Sequence, residues 1–393
     1  MQQAEPVRPS FAILVAISAI GPLALNIFIP SMPGLQAEFG VSYGMAQLTL
    51  TLYLIGMAVC QLIYGPLSDR HGRRPMLLGG LAVFVVASLA AAVAPSIKVL
   101  IAARLLQAIG GAAGIVLARA MVRDVFERDK SASVISYITM AFVVAPMVAP
   151  VLGGFIDKVS GWRMDFWLLA AIGAMVLAAA WRMLPETHVN RGSSSAAPSL
   201  IEGAWRLFQI PRFRGYAATL AFTSAVFFSF LGGAPHVMVD VLHRTPLEYG
   251  LWFATVSLGY MIGNFLSGRY TQAVGIDRMV LAGCVFTLGG GFLCLAAAIS
   301  GLLSPPTLFL PMAFAAFGNG LSIPNGTTGA ISVDPRMTGA AAGWSGFAQM
   351  ACGAAASQLV GSLQNGWPFA VFWFMAAASI LALASHAISM RGT

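Results

Sequence analysis

The sequence predicts an all-α polytopic membrane protein, with twelve transmembrane helices divided six and six. Three observations carry that reading. First, 58% of the 393 residues are apolar and only 9% are charged, against about 25% charged in a soluble domain. Second, the apolar residues fall into long runs, and at about 20 residues per crossing the runs use up the length. Third, the longest polar break falls near the middle. Such a composition excludes a cytosolic enzyme, a disordered chain and a sizeable soluble domain.

The twelve runs are 11–33, 44–66, 76–94, 98–119, 134–156, 163–184, 214–239, 248–269, 278–300, 306–326, 338–362 and 367–390. Polar, glycine-rich or proline-rich breaks separate them. The first follows Arg8 as a signal peptide would, but it runs on to Pro30 and many more spans follow, so it reads as a retained helix. Residues 1–185 are expected to form one bundle, 186–213 a linker and 214–393 a second bundle. The linker carries a flexible stretch, 191–198, and then 200–210. There Trp205, Leu207, Phe208 and Arg206 suggest a helix lying on the membrane surface.

A net charge of +8 would suggest nucleic acid in a soluble protein. Here the basic residues sit in short loops. With the amino terminus inside, 17 of the 22 face the cytoplasm, including Arg8, Arg123, Arg128, Lys130, Arg191, Arg336 and Arg391. The positive-inside bias therefore places both termini in the cytoplasm and argues against a nucleic-acid partner. Cys60, Cys284, Cys294 and Cys352 lie in apolar runs and read as small buried hydrophobes. No metal set, nucleotide loop or hydrolase triad is present, so neither a cofactor nor an enzymatic activity is expected.

The loop after the second run reads Gly65-Pro-Leu-Ser-Asp69-Arg70-His-Gly72-Arg73-Arg74. Gly65 is suited to a close helix approach, Asp69 to pairing with an arginine or a helix start, and Gly72 to a tight turn. Run four carries Arg104-Leu-Leu-Gln107-Ala-Ile-Gly110 and ends in Arg123-Asp124. Run five carries Pro146 and then Ala149-Pro150-Val-Leu-Gly153-Gly154.

These motifs resemble those of the major facilitator superfamily, in particular its bicyclomycin/chloramphenicol-resistance branch of drug:proton antiporters. Run one, with Asn26-Ile27-Phe28-Ile29-Pro30, is similar to that branch's D-x-Y-x-P pattern, but Asn26 replaces the acid and Phe28 the tyrosine. The resemblance implies two pseudo-symmetric bundles and alternating access, with Pro146, Pro150, Gly153 and Gly154 sealing one side. It is looser in the second half, where Gly263 to Arg269 is a worn copy of the first loop without its acid.

Arg104 is the one basic residue read as lying inside the hydrocarbon, at a cost of at least about 2.5–3.5 kcal/mol on insertion scales. It is either functional or snorkelling to the outer interface. Asn26 lies at a similar depth, and the two are expected to share a cavity, with Gln107 a possible partner of Arg104. Asn26 cannot carry a proton, so coupling needs another group. His236 is the leading titratable candidate, with Asp165 and Asp240 at span boundaries. Tyr53, Asn264 and Gln349 are further substrate or coupling candidates, and Gln61, Phe142, Phe227, Phe228, Phe230, Asn319 and Asn325 are candidate cavity-lining groups.

The expected activity is export of small amphipathic, drug-like compounds from a bacterial inner membrane, by proton antiport and as a sufficient monomer. An uptake carrier or facilitator for an organic anion is the alternative within transport. A transport-inactive membrane sensor is the alternative of another class.

Overall fold

The computed structural model describes residues 9–125, 128–187, 200–334, 337–364, 367 and 369–390, and all their side chains except those of 123, 128–143, 200 and 201. Phe142, Arg123, Arg128 and Lys130 thus lie outside the described side chains. Arg8, Arg191, Arg336, Arg391 and the flexible stretch 191–198 lie outside the described residues.

The elements are α1 (Phe11–Asn26), a 3-10 turn (Ile29–Ser31), α2 (Met32–Phe39), α3 (Tyr43–His71), α4 (Arg73–Ala92), α5 (Ile97–Val125), α6 (Arg128–Ser160) and α7 (Arg163–Met183). After α8 (Leu200–Gln209) come α9 (Pro211–His236), a π turn (Val237–Val241), α10 (Pro246–Val274), α11 (Ile276–Ile299), α12 (Pro305–Ile331), α13 (Thr338–Leu363) and α14 (Ala370–Met390). Among the described residues nine segments are long and apolar enough to cross a membrane, α1 with α2 counting as one. The helices α6, α10 and α13 complete the twelve expected crossings.

The first crossing is broken where one continuous span was expected. Pro30 has no N–H to give to the Asn26 carbonyl one turn back, so α1 ends at Asn26. The chain then passes through the 3-10 turn before α2. The segment 200–210 is helical, but its Leu207 is buried rather than wholly on a surface. Phe208 packs edge-on against Phe213 at 5.5 Å and Trp344 at 6.1 Å, while Trp205 stays exposed.

Packing sorts the helices by half. In the first, α5 contacts α1, α3 and α4, and α7 packs on α4. In the second, α9 contacts α13 and α14, and α12 contacts α10 and α11. The two meet where α3 runs along α13 and α6 along α10.

Successive crossings alternate direction, so the α3–α4 and α10–α11 turns share one face of the molecule, here called the basic face. Both turns hinge on glycine with φ in the left-handed region: Gly72 at φ 99°, ψ 151° and Gly275 at φ 92°, ψ 150°. The worn copy therefore keeps the backbone of the first loop. Gly268 stands where the first loop has Asp69, and a different acid follows the turn glycine: Asp277, which accepts from the Tyr216 hydroxyl and lies 3.4 Å from Arg212 Nη2.

At the opposite face the halves are hydrogen-bonded. Gln47 Nε2 donates to Ser357 Oγ at 2.5 Å, Thr51 Oγ1 to Gln358 Oε1 at 2.8 Å, and Gln358 Nε2 to the Gly44 carbonyl at 3.0 Å. Here Gly153 and Gly154 allow close backbone approach. A Cβ on Gly153 would stand 1.6 Å from the Ile27 carbonyl, and one on Gly154 2.5 Å from that of Pro246. Gly65 does not fit its expected role: a Cβ there would meet nothing within 4 Å.

Candidate functional site

Arg104, on α5, is wholly buried. It does not snorkel, which removes that alternative. Its guanidinium lies 4.1 Å from the ring centres of both Phe28 and Tyr53, with Phe166 at 5.8 Å. Each such contact contributes on the order of 0.5–2 kcal/mol once desolvated. Nη1 donates to the Ala24 carbonyl at 3.0 Å and to Gln107 Oε1 at 2.6 Å, and Nε reaches the Thr49 carbonyl at 3.4 Å. The break at Asn26 explains the first bond. Ala24 lies in the last turn of α1, where carbonyls lack helical donors and the dipole favours a cation.

The site is fixed from behind. Gln107 Nε2 donates to Ser88 Oγ at 2.8 Å, and that hydroxyl donates to the Phe84 carbonyl at 2.7 Å. Tyr53 is held by a bond from its hydroxyl to the Gly21 carbonyl at 2.9 Å. One donor is left over: Arg104 Nη2 has no partner among the described residues. Asn26 is buried beside this cluster. Its Nδ2 donates to the Pro22 carbonyl at 2.8 Å and its Oδ1 is unpartnered.

The structure brings Phe28, Tyr53, Arg104 and Gln107 together, with Asn26 two residues from the bonded Ala24. It does not bring the others there. His236 lies at the seam between the halves, its ring 5.1 Å from that of Tyr43 and its Nδ1 2.6 Å from Asp240 Oδ2, off hydrogen-bond alignment. Asn264 donates to the Tyr260 carbonyl at 2.9 Å, and Gln349 to that of Ser345 at 3.3 Å, both within the second half. Asn319 accepts from Thr287 at 2.9 Å, and Asn325 donates to Ser267 Oγ at 2.8 Å, so both amides staple helices together. Phe230 packs edge-on against Phe309 at 5.4 Å, and Phe227 against Phe228 at the same distance. Gln61 abuts α13 at Gly346.

The basic-face motif forms a network of its own. Arg73 Nη1 lies 2.5 Å from Asp69 Oδ1, and its Nε donates to Asp124 Oδ2 at 3.0 Å. The Glu186 carboxylate accepts the backbone N–H groups of Arg73 at 3.0 Å and Arg74 at 3.3 Å. Arg70 is exposed, and Arg74 Nη2 donates to the Trp181 carbonyl at 2.7 Å.

Sequence reasoning left Asp165 at a span boundary. The structure buries it completely, with neither carboxylate oxygen hydrogen-bonded among the described residues. Its buried neighbours Leu169 and Gly173 recur at helical spacing, a stripe that marks the inward face of α7.

Residues 14–357 match the Major Facilitator Superfamily. The chain belongs to this superfamily. "Multidrug resistance protein D" of Escherichia coli is 30% identical over 90% of the chain and 84% of its own length. A "Bicyclomycin resistance protein homolog" of Haemophilus influenzae is 27% identical over 94% of the chain and 93% of its own length. The resemblance to the drug-resistance branch of the superfamily stands on these relatives. The fold matches that of a D-xylose-proton symporter with a TM-score of 0.77 at 15% identity, over 96% of each chain. The protein is thus a multi-pass membrane transporter of the superfamily.

Proposed function

We propose that this transporter exports small amphipathic, drug-like compounds across a bacterial inner membrane in exchange for protons. In this reading 1–185 and 214–393 are bundles that rock against each other, 186–213 links them, and both termini are cytoplasmic. A monomer suffices. The observation that carries the reading is the near full-length similarity to proteins named for multidrug and bicyclomycin resistance. The seam supports it. The hydrogen bonds between α3 and α13 and the glycine contacts of α6 cluster at one end, as a transporter closed on its outer side requires. Arg104, Gln107, Tyr53 and Phe28 are its substrate or coupling core, and the Asp69–Arg73–Asp124 network is its cytoplasmic latch.

Counterflow in proteoliposomes tests it, with bicyclomycin, chloramphenicol, ethidium and salicylate as probes. Exchange of neutral or cationic probes, with uncoupler-sensitive efflux from cells, is the expected result. Absence of flux for every probe is the result a membrane sensor gives. A second reading, uptake of an organic anion, draws on the unpartnered Nη2 of Arg104. It requires that salicylate alone is carried and that Arg104→Gln abolishes its accumulation.

A further inference from the structure

If Asn26 holds the place of the branch's acid and cannot titrate, a proton-driven exporter needs another acceptor. We propose that Asp165, loaded through Asp157 and Ser31, is the proton-binding carboxyl of this transporter. The inference rests on the antiport reading above and deepens it.

The geometry is that of a two-acid site on the outer side. Asp165 is the third residue of α7, wholly buried, and both its oxygens lack hydrogen-bond partners. A carboxylate left so is costly unless it is protonated for part of the cycle. Two polar side chains lie near it: the Ser31 hydroxyl, from the 3-10 turn that breaks the first crossing, and the Asp157 carboxyl, near the end of α6. The Ser31 hydroxyl is itself buried without a hydrogen-bond partner among the described residues, and it lies near Asp157 as well. Asp157 is half-buried and Asp165 enclosed, which gives the pair a wet end and a dry end.

The surrounding charges leave that proton uncontested. Arg163, two residues back, is committed to Glu38 and to the Ala94 carbonyl at 3.0 Å. Lys158 on α6 is exposed. The acids and bases of α4 stand at the other face, where Arg73 meets Asp124. Arg104 on α5 is reached through Phe166, the residue next to Asp165 and 5.8 Å from the guanidinium. Protonation converts the Asp165 carboxylate into a neutral carboxyl, the proton coming from outer water by way of Asp157. His236, the sequence candidate, stands apart at the seam.

Two measurements decide it. Dicyclohexylcarbodiimide, which modifies protonated carboxyls in apolar surroundings, is applied to the purified wild-type protein across a pH series and the sites are read by mass spectrometry. Modification at Asp165 that falls as pH rises is expected, and an unmodified Asp165 overturns the proposal. In proteoliposomes, Asp165→Asn is expected to lose proton movement driven by whichever probe the wild type carries while keeping probe exchange. Asp165→Glu restores part of it, and Asp157→Asn slows it. Asp165→Asn with wild-type proton movement refutes this assignment and leaves the exporter reading intact. A wild type that carries no probe refutes the exporter reading, and the labelling result still judges Asp165.

Discussion

Replacing Gln107 by leucine removes the side chain that holds Arg104 from behind while keeping most of its volume. The charged Nη1 loses a 2.6 Å bond, and a bond of that kind contributes about 1.5–3 kcal/mol. Ser88 loses its donor from Gln107, worth about 0.5–1.5 kcal/mol. Gln107→Leu is therefore expected to destabilise the detergent-purified protein by about 2–4 kcal/mol. Most of that cost is a buried charge left short of acceptors, and removing the charge recovers it. In a double-mutant cycle, Arg104→Met with Gln107→Leu is expected to be about 1.5–3 kcal/mol less destabilised than the sum of the single changes. Thermal unfolding followed by tryptophan fluorescence measures all four proteins. Additive effects, or a Gln107→Leu protein within about 0.5 kcal/mol of wild type, refute the coupling between the two side chains.

Gln47→Cys paired with Ser357→Cys, in a background without Cys60, Cys284, Cys294 and Cys352, places two thiols where a 2.5 Å hydrogen bond joins α3 to α13. Oxidation is expected to stop transport and reduction to restore it, as read by probe exchange. Unchanged exchange in the cross-linked protein shows that this end does not open. Gly153→Ala drives a Cβ to 1.6 Å from the Ile27 carbonyl. The expected result is a loss of about 1–3 kcal/mol or more together with impaired exchange, whereas Gly65→Ala, set in open space, leaves both near wild type.

The fold was legible because its determinants are coarse: long apolar runs, glycine turns and loop charge need no side-chain placement to be read. Arg104 was legible for a related reason, since a charge inside an apolar run is costly wherever it points. Its partners were only half visible. Gln107 is one turn away on the same helix, but the Ala24 carbonyl becomes an acceptor only because Pro30 interrupts the first crossing. Asp165 was obscured because a span boundary, uncertain by several residues, decides whether an acid is wet or dry, and burial there depends on how α7 packs against α4, α1 and α6. Asn319 and Asn325 read as cavity groups on polarity alone, yet both are spent on neighbouring helices.

The Glu186 carboxylate closes the exposed start of α4 by accepting two of its free N–H groups, at 3.0 and 3.3 Å. That carboxylate lies just beyond the end of α7, so the start of α4 is capped by the segment that leaves α7. The segment after α7 is thus fastened to a helix whose basic first turn favours an anion. Whatever withdraws Glu186 also frees those two N–H groups, so the Gly72 turn and the end of α7 are held by one clasp.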